Sequence, residues 1–137
     1  MIKLTNASTY KLIPEGRTTF KIKNVVHDAN NSKVEVDMLT EDGLRHIERF
    51  HFTYKDGTFN QGGLNAFGAF ARAATGVTVL DQIEPEDLID CYVSANVMHV
   101  RRPNRNDPTR TVTLINLKSY TRAQPWGTET QVDDIEF

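Results

Sequence analysis

Apolar residues alternate with polar ones in three successive stretches of the first half of the chain. In residues 18–27 the apolar side chains of Phe20, Ile22 and Val26 fall on even positions, and residues 33–40 and 44–54 repeat the alternation. A period of two is typical of a strand with one buried face. Turn-forming residues separate the three stretches. We therefore predict three consecutive β-strands.

The third stretch has two faces of different chemistry. Phe50, Phe52 and Tyr54 share one face, which we expect to lie in the core. The opposite face is basic, with Arg45, Arg49, His51 and Lys55.

The pattern then changes from strands to a helix and back. Apolar residues recur at helical spacing in residues 63–75, where Asn60 and Gly76 suit the two caps. A single helical turn over residues 85–88 precedes two long strand-like runs, 89–102 and 110–120.

The resulting order, β-β-β-α-β-β, is that of the oligonucleotide-binding (OB) barrel, in which one helix covers an end of five partly open strands. We predict an all-β fold with one helix, a five-stranded OB-fold barrel. A chain of 137 residues leaves room for a single domain, which we place at residues 1–122.

The formal net charge of −2 hides a strong segregation of charge along the chain. Residues 1–98 hold 10 basic and 13 acidic side chains, whereas residues 99–122 hold six basic and one acidic. Residues 123–137 hold four acidic side chains and no basic one. A basic segment followed by an acidic tail indicates a polyanionic partner, although charge can also cluster by chance on a solvated face.

A site for single-stranded DNA needs cations for the phosphates and flat groups on which bases stack. The predicted DNA-binding cations are Lys21, Lys23, Arg45, Arg49, His51, Lys55, Arg101, Arg102, Arg105, Arg110 and Lys118. Stacking candidates are Tyr92, Tyr120 and Trp126, for which packing inside the protein is the alternative.

Signals of catalysis are weak, and we expect neither an enzyme nor a cofactor. The lone Cys91 excludes an internal disulfide and is expected to be a buried, unreactive thiol. His46 and Glu48 share a face, but two ligands fall short of a metal site. A metal-dependent nuclease using the strand carboxylates is the third and weakest reading.

The last seven residues, Gln-Val-Asp-Asp-Ile-Glu-Phe, resemble the tail tip of bacterial single-stranded-DNA-binding proteins, Asp-Asp-Asp-Ile-Pro-Phe. Acidic tails that end in Phe are also typical of phage replication proteins of this class. The resemblance implies that the tail recruits replication or recombination proteins. The residues that would carry this role are Asp133, Asp134, Ile135, Glu136 and Phe137.

The sequence thus predicts a phage-type protein that binds and protects single-stranded DNA in the cytoplasm of a bacterial host. No stretch is long and apolar enough for a membrane span, and a homodimer is compatible with the sequence. The main alternative is a virus-encoded interaction module or inhibitor of a host complex.

Overall fold

A computed structural model describes residues 12–126. This part of the chain forms five strands and one α-helix in the predicted order. They are β1 (Gly16–Asp28), β2 (Lys33–Thr40), β3 (Arg45–His51), α1 (Gln61–Thr75), β4 (Tyr92–Pro103) and β5 (Thr111–Arg122). A short 3₁₀ helix over Pro85–Leu88 stands where the sequence predicts a single helical turn. The prediction of a mostly-β fold with one helix is confirmed.

The five strands form one antiparallel sheet in the order β3-β2-β1-β4-β5. The sheet curls until its edge strands approach each other. The Tyr120 hydroxyl on β5 donates a hydrogen bond of 2.6 Å to the Glu48 carboxylate on β3. Phe50 of β3 and Tyr120 also make an edge-on ring contact. No backbone hydrogen bond joins β3 to β5 within residues 12–126, so side chains make this junction.

The core lies on the inner face of the sheet and is sealed by α1. The ring of Phe70 on α1 packs 5.3 Å from Phe50 and 5.1 Å from Tyr120, measured between ring centroids. Phe70 is buried, and Phe67 packs against the same cluster. The largest fully buried side chains are Phe20, Phe70, Ile13, Ile22, Met38, Leu88, Val36, Val93 and Val97.

Both predicted caps of α1 are confirmed. The Asn60 side chain accepts a hydrogen bond of 3.0 Å from the Gly63 amide and donates one of 3.1 Å to the His51 carbonyl. Gly76 ends the helix in the left-handed conformation at φ 76°. Because Asn60 bonds to both elements, it holds the start of the helix on the end of β3.

Two residues predicted to face the core do not. Val26 is 50% exposed because the register of β1 against β2 shifts between Ile22 and Asn24. A bulge of this kind reverses the faces that follow it, so Val25 packs on the core instead.

Tyr54 is the second exception, at 56% exposed. The third strand ends at His51, and residues 52–60 form a small hairpin in which Thr53 pairs with Phe59. Phe52 still packs against the core. The alternation therefore continues past the end of the strand without the burial that it predicts.

Candidate nucleic-acid interface

The second half of β4 and the first half of β5 extend beyond the rest of the sheet. β1 pairs with β4 only as far as Val97, whereas β4 and β5 continue to pair from Met98 to Pro103 on β4. We call residues 98–116 the ribbon. Its base is anchored, since the His99 backbone amide donates to Glu15 at 2.9 Å.

The loop at the tip of the ribbon is ordered by its own polar groups. The Asn104 amide donates to the Arg110 carbonyl at 2.8 Å, and the Arg110 amide donates to the Asp107 carbonyl at 3.0 Å. The Asn104 side chain accepts from the Asn106 amide at 2.8 Å. The ribbon is thus a defined projection that ends in a tight polar loop.

The ribbon carries exposed cations that have no carboxylate partner in the described part of the chain. Arg101, Arg102 and Arg105 are exposed, as is Lys118 just beyond the ribbon on β5. None of these four forms an ion pair with another residue of the described chain. Arg110 lies 3.7 Å from Asp107, which is also exposed. Residues 98–118 thus hold four exposed cations that form no ion pair with another described residue.

The basic face predicted for β3 exists, but its charge is balanced by β2. The Arg45 guanidinium makes two hydrogen bonds to Asp37, of 2.8 and 3.0 Å. Arg49 donates to Glu35 at 2.8 Å, and Lys33 lies 3.4 Å from the same carboxylate. The hydrogen bond from Arg49 lowers the pKa of Glu35. A phosphate on this face would compete with carboxylates that are already in place.

Three candidates from different parts of the sequence meet on the outer face of β1 and β4. Tyr92 and Trp126 pack edge to face with centroids 5.1 Å apart. The Lys21 ammonium lies 5.8 Å from the Tyr92 ring and 3.8 Å from Asp90. Both rings are half-buried. Lys23 is exposed at the bulge of β1.

Sequence reasoning missed Arg17, which joins this outer face. Its guanidinium donates to the Ser94 carbonyl at 3.3 Å and to the Thr121 hydroxyl. The strand begins at Gly16, two residues before the predicted start. Extending the alternation of Thr19 and Lys21 backwards would have placed Arg17 on the same face.

Tyr120 was a stacking candidate, but it lies inside the protein. Burial, and then the charge of Glu48, raise the pKa of the Tyr120 phenol, which keeps it a proton donor at neutral pH. Glu48 also contacts His46 at 2.9 Å. This ring is therefore part of the junction between β3 and β5 and not a free surface for a base.

We predict that Y120F lowers the free energy of unfolding by about 1–2 kcal/mol, because the Glu48 carboxylate loses its donor in a half-buried place. Urea denaturation measures the change. Tyr92 makes no hydrogen bond through its hydroxyl within the described chain, so Y92F serves as the matched control and should be nearly neutral. Equal stability of Y120F and wild type would contradict this role of the junction.

A cleft of about 530 Å³ opens between β3 and β5 on the ribbon side of this junction. Arg45 and Arg49 line one wall, and Thr113 and Leu114 at the ribbon base line the other. Arg105 does not reach it, since it sits in the loop at the tip. Arg45 and Arg49 are thus adjacent to the ribbon only at its base.

His51 and Lys55, the last predicted cations, lie together beside the residue 28–32 turn, where they border a separate cavity. Cys91 is half-buried, and burial raises the pKa of its thiol. No three His, Cys, Asp or Glu side chains cluster as metal ligands in residues 12–126. The described part of the chain has no helix that is long and apolar enough to cross a membrane.

The tail-tip residues, Asp133 to Phe137, lie outside the described part of the chain. Comparison with known proteins adds no relative: the chain matches no protein-family model, and no curated protein resembles it to a significant degree.

Proposed function

We propose that this protein binds single-stranded DNA without sequence preference, through the ribbon and the outer face of β1 and β4. The observation that carries the proposal is the set of four exposed cations on and beside the ribbon that form no ion pair within residues 12–126. Phosphates supply the anions that such a surface lacks, and their affinity for it comes largely from released counterions.

The strand arrangement supports the OB fold as the finer description. An OB barrel brings its first strand between the second and the fourth, which is the neighbour order of this sheet. The helix follows β3 and packs on the inner cluster at one end of the curled sheet. In such barrels the loop between the last two strands closes on the nucleic acid, and here that loop is the tip of the basic ribbon.

Bases would stack on the outer face of the sheet. Tyr92 and Trp126 form a ready aromatic pair there, with Lys21 and Arg17 beside them to hold phosphates. Aromatic platforms of this type accept every base, because each base has a π-face. The protein would then protect the strand without cleaving it and would need no cofactor.

The acidic tail keeps the role predicted from its sequence, recruitment of replication or recombination proteins in a phage-infected cell. An aromatic ring beside carboxylates can fill an apolar pocket rimmed by cations. The mixed apolar and polar surface of the ribbon also suits a protein partner. Competition between oligo-dT and duplex DNA distinguishes single-stranded-DNA binding from a protein-interaction role of the ribbon. Only single-stranded-DNA binding requires a preference for single strands.

We predict strongly salt-dependent binding of oligo-dT by the wild-type protein. Phosphate contacts from the four cations on and beside the ribbon alone contribute about −2.8 to the slope of log K against log salt, which is roughly a 50-fold loss between about 50 and 200 mM. Fluorescence anisotropy of labelled oligo-dT measures both quantities. Absence of a salt-sensitive complex would overturn the proposed function.

A further inference from the structure

A second aromatic surface lies beyond the carboxyl end of β3, away from the ribbon. Tyr54 is 56% exposed in the hairpin of residues 52–60. Its ring borders a cavity of about 340 Å³, whose other walls include Asn30, Asn31, His51 and Lys55. An exposed ring at the edge of a concave, polar surface has the form of a ligand-binding platform.

The hairpin that presents Tyr54 is held rigid by its own hydrogen bonds. The Tyr54 amide donates to the Thr58 carbonyl at 2.8 Å, and the Gly57 amide donates to the Tyr54 carbonyl at 2.9 Å. The Asp56 carboxylate accepts from the amide and the hydroxyl of Thr58, at 3.0 and 2.7 Å. Hydrogen bonds from Thr58 lower the pKa of Asp56, so this brace stays charged at neutral pH.

The opposite wall of the cavity is fixed to the same hairpin. The Phe52 amide donates to the Ser32 carbonyl at 2.8 Å, which ties the turn between β1 and β2 to the hairpin. Asp28 accepts from the Asn31 amide at 3.2 Å and from its side chain at 2.7 Å. Because both walls are preformed, a ligand would pay little of the entropy that ordering loops costs.

The groups around the ring match the parts of a nucleotide. The phenol ring of Tyr54 offers a flat face for a base. The exposed side chain of Asn30 makes no hydrogen bond within the described chain, so its amide can both donate to and accept from a base edge. Lys55 is exposed and has no carboxylate partner in residues 12–126, which leaves it free for a phosphate.

We propose that Tyr54 is the stacking platform of a separate nucleotide subsite, with Lys55 on the phosphate and Asn30 on the base edge. The inference rests on the proposed function, since it assigns this subsite to the same strand of DNA. β3 spans about 20 Å from Arg45 to His51. The base of the ribbon faces the amino end of β3 across the cleft, and the subsite lies beyond its carboxyl end. β1 runs from Gly16, which pairs with Val97 at the ribbon base, to Asp28 next to the turn that borders the subsite. A strand bound on the outer face of β1 and β4 would thus continue along β1 to this subsite.

The chain offers a matched control in the same hairpin. Phe59 is also 56% exposed, but it does not border the cavity. Fluorescence anisotropy with oligo-dT of about 15 nucleotides should give Y54A a roughly 10-fold higher Kd than wild type, with an unchanged salt slope. Y54F and F59A should bind within about twofold of wild type, because the first keeps the ring and the second lies elsewhere.

Y54L keeps the bulk of the side chain and removes its π-face, so it should lose as much affinity as Y54A. Thermal unfolding checks that each variant is folded. Equal affinity of Y54A and wild type, or an equal loss in F59A, would overturn the subsite. If wild type binds with the expected salt slope and Y54A binds equally well, only the subsite fails. If the wild-type protein does not bind oligo-dT, both the proposed function and the subsite fail.

Discussion

Reversing three charges in the ribbon should nearly abolish DNA binding. The variant R101E/R102E/R105E removes three of the four exposed cations on and beside the ribbon that form no ion pair within the described chain, and it puts carboxylates in their places. We expect Kd to rise by about 100-fold or more at low salt, and the salt slope to become shallower by about 2.1, since each lost phosphate contact removes about 0.7. Because these side chains are exposed and unpaired within the described chain, the fold should be unaffected, which circular dichroism checks.

Matched alanine pairs locate the interface. R101A/R102A and R45A/R49A remove the same formal charge, but Arg45 and Arg49 already have Asp37 and Glu35 as partners. The ribbon pair should therefore lose more affinity and about 1.4 of the salt slope. A larger loss in R45A/R49A would place the DNA on the outer face of β2 and β3 instead.

Much of the fold was predictable because the alternation is strong where strands are regular. The bounds of β2 were predicted to the residue, since residues 33–40 alternate without a bulge. The bulge in β1 was not visible, because Val25 and Val26 are both apolar and either one satisfies the pattern. Tyr54 falls in the right phase for β3, yet the strand has already ended at His51.

The site was harder to predict because the availability of a charged side chain for a ligand depends on which residue lies opposite it on the neighbouring strand. The sequence places Glu35 and Arg49 on outward faces, but only the register of β2 against β3 puts them opposite each other. The ribbon was hard to predict for the same reason. Its length follows from how far β4 outlasts its pairing with β1, which ends at Val97. Periodicity assigns faces, and it contains no information on these partners.

The second large effect concerns stability, at the point where the helix meets β3. Gly63 lies so close to the end of β3 that an added Cβ would overlap the His51 carbonyl oxygen. That oxygen belongs to the backbone and also accepts the Asn60 side chain. It has no room to give way, so G63A must push the start of α1 off the strand. We expect a loss of about 3 kcal/mol, or roughly 10 °C in Tm.

G62A is the control for this prediction, because it makes the same change one residue earlier. A Cβ at Gly62 would meet only the Asn60 side chain, at 3.4 Å. Alanine has a higher helix propensity than glycine by up to about 1 kcal/mol, so G62A should be neutral or slightly more stable. Differential scanning calorimetry of the two variants separates the steric effect from helix propensity, because propensity alone would change the Tm of both variants in the same direction. If G63A and G62A have the same Tm, the start of the helix is not held against the His51 carbonyl as described.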